Sequence, residues 1–229
     1  MLAALRQAVL EANTALFRSG LATFTFGNAS AIDRANEQVV IKPSGVPYTE
    51  LTVDDLVVTD LDGRVLEGSR RPSSDLATHL ALYRAFPAIG GVVHTHSRFA
   101  TAFAQAGRAI PCLGTTHADY FRGAIPVTDA LAADVIRGAY EAGTGEAIVQ
   151  CVGRRDPLEI PAVLVSAHAP FCWGKTVADA VEVAALLEEV AQLAYLTLTL
   201  APGTDGIESI LRDRHFLRKH GKDAYYGQP

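Results

Sequence analysis

The chain has 229 residues, 49% of them hydrophobic and 20% charged, with a formal net charge of −5 and a pI near 5.8. This is the composition of a folded globular protein rather than a disordered one, and the length suits one sizeable core, so a single domain over residues 1–229 is expected. The acidic balance excludes the broad basic face of a nucleic-acid binder but leaves room for a small anion held by a local cluster of donors.

An amphipathic pattern from Leu2 to Arg18 predicts a first helix, closed at Gly20. Arg6, Glu11 and Arg18 interrupt any signal-like apolar core, and Cys112, Cys151 and Cys172 have neither disulfide-framework nor zinc-knuckle spacing. The expected compartment is therefore the reducing cytoplasm. LATFTFGNASAID reads as two short strand pieces broken at Gly27-Asn28, where a strand interior favours neither residue. EQVVIKPSG predicts a strand ending in Lys42-Pro43-Ser44-Gly45, a turn that suits either an ordinary loop or an anion nest. A two-stranded element follows at LVVTDLDGRVLEG. Ser73, Ser74 and Asp75 then open a helical pattern, where they can cap the helix or, with its dipole, bind a phosphate.

GGVVHTHS, residues 90–97, is an apolar strand ending in His94 and His96. Alternate strand residues face the same way, so both imidazoles should converge. Two histidines alone would equally suit strand-end residues bonded to backbone. His168, after the apolar run Val163 to Val165, supplies a third. Three histidines without a fourth strong ligand leave a position open, the pattern of a catalytic rather than a structural metal site. RAIPCLGTTHADYF reads as a strand leading to a turn that carries Thr115 and Asp119. Helices are predicted at 128–141 and 176–200, with strands at EAIVQCV and PAVLVSAH between them. Val177 to Leu200 is strongly apolar but holds Asp179, Glu182, Glu188, Glu189 and Gln192, so it is expected as a buried helix and not a membrane span. A last helix runs to about His220, and Tyr225 to Gln228 form a short tail that reads as a frayed terminus.

The ordered set GNAS, KPSG, SSD, HTH and a histidine after VLVS resembles the class II aldolase/adducin family. Each tetrapeptide is weak alone, but five in order are specific, and the likeness spans nearly the whole chain, weakest over residues 143–158. The resemblance implies an α/β fold: a central, mainly antiparallel sheet flanked by helices on both faces, in a cyclic homotetramer with sites between subunits. It makes His94, His96 and His168 ligands of Zn²⁺, or of another divalent ion such as Mn²⁺ or Co²⁺, with Asp75 beside the metal. It assigns Gly27, Asn28, Lys42, Ser44, Gly45, Ser73 and Ser74 to a phosphate pocket. Asp119 and Tyr226 become acid–base residues, with Thr115, His215 and Arg218 as neighbours.

The activity implied is interconversion of L-ribulose 5-phosphate and D-xylulose 5-phosphate, a step of arabinose or ascorbate-type catabolism. The C4 hydrogen is β to the carbonyl and not acidic, so inversion requires retro-aldol cleavage of C3–C4, with the metal as Lewis acid, and re-addition to the other face. A fuculose- or rhamnulose-type aldolase of the same family would instead release the fragments. Asp75, where fuculose-type members carry Glu, and the tail YYGQ favour the epimerase. A non-catalytic adducin-like module is disfavoured by the presence of all three histidines.

Overall fold

Several strands of this chain are apolar on both sides, so the sheet they form must be covered on both faces. The computed structural model describes residues 2–226. In chain order its elements are α1 (Leu2–Arg18), β1 (Asn28–Asp33), β2 (Gln38–Ile41), β3 (Val57–Asp60), β4 (Val65–Glu67), α2 (Leu76–Ala85), β5 (Gly91–His94), α3 (Arg98–Gln105), α4 (Thr115–Ala118), α5 (Ala133–Gly138), α6 (Tyr140–Val152), β6 (Ala162–Leu164), β7 (Pro170–Gly174), α7 (Val177–Leu200) and α8 (Ser209–His220). The strands form one seven-stranded sheet, in the order β4-β3-β2-β1-β5-β7-β6. Every neighbouring pair is antiparallel.

Period-two alternation sorts the strand residues between two cores. Ala29, Ala31, Val40, Val58, Val93, Leu164 and Cys172 pack with Val9, Leu16, Ala100, Phe103, Ala184 and Leu187, under α1, α3 and α7. Ile32, Val39, Ile41, Val57, Val92, Val163, Phe171 and Trp173 pack with Leu80, Tyr83, Ile148 and Val152, under α2 and α6. Each fully buried large apolar side chain contributes about 1.5–3 kcal/mol. Thr176 caps α7 through a capping box with Asp179, whose N–H donates to Thr176 Oγ1 at 3.1 Å. The start of α7 presses so close on β5 that a Cβ on Gly91 would lie 2.3 Å from Val177 Cα.

Four elements depart from the sequence expectations. Residues 21–27 form a loop, not a strand, because Phe24 takes a left-handed φ of 54° and Gly27 one of 80°, neither of which fits an extended ladder. EAIVQCV lies inside α6: its buried side chains, Thr144, Ile148 and Val152, recur every four residues, a helical period. The helix predicted at 128–141 is confined to Ala133–Gly138 and breaks at Ala139. RAIPCLGTTHADYF contributes only a bridge between Ile110 and Ile125, and Thr115 to Ala118 form the short helix α4. β7, a wholly buried strand, had no counterpart in the pattern. α7 buries one face, while Leu193, Tyr195, Leu196 and Leu200 remain exposed on it.

Candidate active site

β1 and β5 are neighbours at the middle of the sheet, with Asn28 opposite His94. The start of α2 lies over the same end. These elements enclose a cavity of about 300 Å³ lined by Gly27, Asn28, Lys42, Ser44, Gly45, Ser73, Ser74, Asp75 and the three histidines. That is the lower end of the usual range for small-ligand sites.

His94 closes β5, His96 lies two residues on, and His168 sits in the turn between β6 and β7. Their ligand atoms lie within 4.8 Å of one another. His94 Nε2 is 3.1 Å from His96 Nε2 and 3.2 Å from His168 Nε2. Tetrahedral ligands at about 2.0–2.1 Å from zinc stand about 3.3 Å apart, close to the observed spacing. Hydrogen bonding among the rings does not account for it. His94 Nδ1 is 2.9 Å from the Pro170 carbonyl oxygen, which can only accept, so Nδ1 carries the proton and Nε2 a bare lone pair. One lone pair cannot serve two aligned donors, whereas converging lone pairs suit a cation. His168 Nδ1 is 3.1 Å from the Tyr140 hydroxyl, which holds the ring and, as an acceptor of the Nδ1 proton, would leave Nε2 bare in the same sense. Burial pushes the His94 imidazole down to about 3, with the neighbouring His168 and His96 adding to the fall. It also lowers His96 and His168, so all three are neutral and able to ligate at neutral pH.

Asp75 lines the cavity but stands outside that convergent group. Although it is the N-cap of α2, its side chain makes no cap bond; its Oδ2 accepts from Asn28 Nδ2 at 2.6 Å. Burial works against its charge, but His94, His79 and the Asn28 amide outweigh it and hold the carboxyl below its usual value. Asn28 Nδ2 is also 3.0 Å from Ser73 Oγ, while the buried Asn28 Oδ1 has no partner among the described residues. A ligand hydroxyl would satisfy it.

Lys42 is 1% exposed. Its Nζ has only a long bond, 3.4 Å, to the Pro43 carbonyl and lies 4.7 Å from the centre of the Tyr48 ring. Burial pushes its ammonium down to about 8. A buried cation facing a cavity without a carboxylate partner favours an anion there. The two turns are held side by side: Ser44 N–H donates to Arg71 O and Ser73 N–H to Lys42 O, both at 3.0 Å. Ser44 therefore offers a ligand its hydroxyl and not its amide, which weakens the nest reading of that turn. Gly27 explains the break before β1, since at its φ of 80° a Cβ would come 2.7 Å from His94 O. The Tyr48 hydroxyl anchors this loop against the carbonyls of Phe26 and Gly27, at 3.0 and 2.8 Å.

The remaining candidates form a second cluster. Asp119, at the end of α4, is held by Arg218 through Nε at 3.0 Å and Nη2 at 2.8 Å, and by His215 Nδ1 at 3.0 Å. Burial opposes its charge, but Arg218 and His215 outweigh it and keep the carboxyl below the usual range. The Arg218 guanidinium lies 4.3 Å from the Tyr226 ring centre. Thr115 opens the helix that Asp119 closes. None of these five lines the cavity that holds the histidines. Gly227 and Gln228 of the predicted tail lie outside the described residues. Tyr48, Tyr140 and Pro170 escaped the sequence reading, because each acts on a residue distant in the chain.

The fold and the three-histidine cavity together define a class of protein. The chain belongs to the class II aldolase family: residues 7–195 match the class II aldolase and adducin N-terminal domain. It is 56% identical, over 98% of its own length and 98% of the relative's, to L-ribulose-5-phosphate 4-epimerase UlaF of Salmonella paratyphi A. An L-fuculose 1-phosphate aldolase shares the fold, with a TM-score of 0.76 at 23% identity, covering 90% of this chain and 92% of that one. The L-fuculose-1-phosphate aldolase of Thermus thermophilus aligns at 26% identity and a TM-score of 0.69, covering 89% of this chain and 100% of its own.

Proposed function

We propose that this enzyme interconverts L-ribulose 5-phosphate and D-xylulose 5-phosphate, by retro-aldol cleavage and re-addition. The observation that carries this reading is one cavity in which three converging imidazoles face a buried ammonium that has no ion-pair partner among the described residues, in a chain 56% identical to an epimerase. A ketose phosphate fills both roles, with its oxygens toward the histidines and its phosphate toward Lys42, Ser44, Gly45, Ser73 and Ser74. A divalent ion, Zn²⁺ by its nitrogen donor set, would supply a Lewis acid for the charge on the three-carbon fragment while C3–C4 is broken. Lys42 and the serines hold the phosphate of the two-carbon aldehyde so that it turns without leaving. Asp75, ionised and aligned by Asn28, faces the substrate beside the metal. Asp119, held ionised by Arg218 and His215, accepts the C4 hydroxyl proton, and Tyr226 protonates the new C4 oxygen on the opposite face; the roles exchange in the reverse reaction. Thr115 supports Asp119 on the same short helix.

Asp119 and Tyr226 line no part of their own chain's cavity, which supports a homotetramer in which they serve a neighbour's metal. The exposed apolar residues of α7 supply surface for such an assembly. Three free cysteines fit a cytoplasmic enzyme of pentose catabolism. The purified metal-loaded chain should bring L-ribulose 5-phosphate to equilibrium with D-xylulose 5-phosphate. Net release of dihydroxyacetone and glycolaldehyde phosphate would make it an aldolase, and failure to bind metal would leave only an interaction module.

A further inference from the structure

The three metal-facing rings differ in what orients them. His94 is tied to the Pro170 carbonyl and His168 to the Tyr140 hydroxyl. His96 is exposed, and among the described residues its ring has no hydrogen-bond partner besides His94. Apart from the Phe26 ring, whose centre lies 5.9 Å away, its position therefore rests on its backbone. His96 runs directly into Ser97, the N-cap of α3, whose φ of −61° and ψ of 142° suit capping. Ser97 nevertheless makes no cap bond, and its hydroxyl lies 3.4 Å from Thr95 Oγ1. The first N–H groups of α3 reach across to α7 instead: Phe99 donates to Glu188 Oε1 at 2.8 Å and Ala100 to Glu188 Oε2 at 3.0 Å. A carboxylate taking two amides at the positive end of a helix is a charge-assisted clamp. Phe99 and Tyr195, with ring centres 5.7 Å apart, pack the same two helices together.

We infer that Glu188 is a positioning residue of the metal centre: by clamping the start of α3 from α7, it fixes the turn that carries His96, the ligand whose ring no hydrogen bond from outside the cluster orients. The inference rests on the reading of the histidines as metal ligands. It also gives one of the acidic residues of α7 a task that composition alone leaves unexplained.

The test measures metal affinity rather than turnover. Zn²⁺ dissociation constants come from chelator competition on the wild-type chain, Glu188→Ala, Glu188→Gln, His96→Asn and the double variant. Glu189→Gln, at an exposed neighbouring position, makes a matching charge change as control. Glu188→Ala should bind Zn²⁺ about tenfold or more weakly and alter the Co²⁺ absorption bands. Glu188→Gln, which keeps one acceptor, should fall between, and Glu189→Gln should match the wild type. Adding Glu188→Ala to His96→Asn should weaken binding no further, because the ligand that Glu188 positions is already gone. A role in the fold alone would give additive losses, and that result overturns the inference, as does wild-type affinity in Glu188→Ala. If Glu188→Ala does not fold, Glu188→Gln carries the same cycle. A wild-type chain that binds no Zn²⁺ in the first titration overturns the metal reading itself, and with it this inference.

Discussion

Lys42→Met should strengthen the ligand-free fold while it weakens substrate binding. The ammonium is 1% exposed, and burial takes it from 10.5 to about 8. Between those two values the unfolded chain binds a proton that the folded chain does not, so stability rises with pH through that window. Below about pH 8 both states are protonated, and the buried charge opposes folding by about 3 kcal/mol at most, at 1.36 kcal/mol per tenfold. Methionine forfeits the contact with the Tyr48 ring, worth about 0.5–1 kcal/mol, and a long bond to Pro43 O that adds little. A net gain of about 1–2 kcal/mol at pH 7 follows, shrinking toward zero or below near pH 10.5. Chemical denaturation of both chains at the two pH values measures it. Loss of one charged hydrogen bond to phosphate costs about 1.5–3 kcal/mol, so KM should rise about 10- to 150-fold. An unchanged KM, or equal destabilisation of the variant at pH 7 and pH 10.5, would refute the placement of an uncompensated charge in the phosphate pocket.

His96→Asn should lose most bound zinc and activity together, as metal analysis beside the epimerase assay will show; full occupancy would remove His96 from the ligand set. Gly27→Ala should cost about 1–3 kcal/mol in thermal or chemical unfolding, because its φ of 80° is strained for alanine and its Cβ would strike His94 O. Arg218→Met should move the acid limb of the kcat profile upward in pH: Asp119 is held below its usual value, so its ionised form now persists as pH falls, and the variant surrenders that margin. Asp119 and Tyr226 meet through Arg218 on one chain, so mixed oligomers of Asp119→Asn and Tyr226→Phe chains should be no more active than their parents, whereas mixing Asp119→Asn with His96→Asn chains should restore activity, because each supplies what the other's site lacks. An active monomer in sedimentation would contradict that arrangement.

The convergence of the three histidines was legible because it obeys local periodicity. His94 and His96 converge since strand and strand-end residues two apart share a side, and His168 was marked by its own apolar run. The turns expected to hold phosphate, which do line the cavity, carried their donors in the residues themselves. What escaped depends on distant partners: Tyr140 meets His168 across 28 positions, and Tyr48 meets Gly27 across 21. EAIVQCV misled because a short apolar run suits a strand and a buried helix turn equally, and the long packing of α6 on α2 decides between them. Asp75 suited a helix cap and a ligand site equally by type and place, and only its distant partner decides: Asn28 draws the carboxylate into the cavity and leaves the cap bond unmade.

The pairing of Asn28 with His94 across β1 and β5 has a consequence for substrate length. A residue of the donor-lined side of the cavity and one of its three histidines occupy one rung of the ladder, with backbones about 4.5–5.5 Å apart. His94 is paired on its other side with Phe171 of β7, so the floor of the cavity beneath Asn28 and the histidines is fixed by the middle of the sheet, while the turns at Ser44–Gly45 and Ser73–Asp75 close it from outside the ladder. The site thus acts as a fixed gauge. With its phosphate at Lys42 as proposed, a ketose phosphate one carbon longer or shorter would have to give up either its grip there or its reach to the histidines, unless the two turns moved against the ladder.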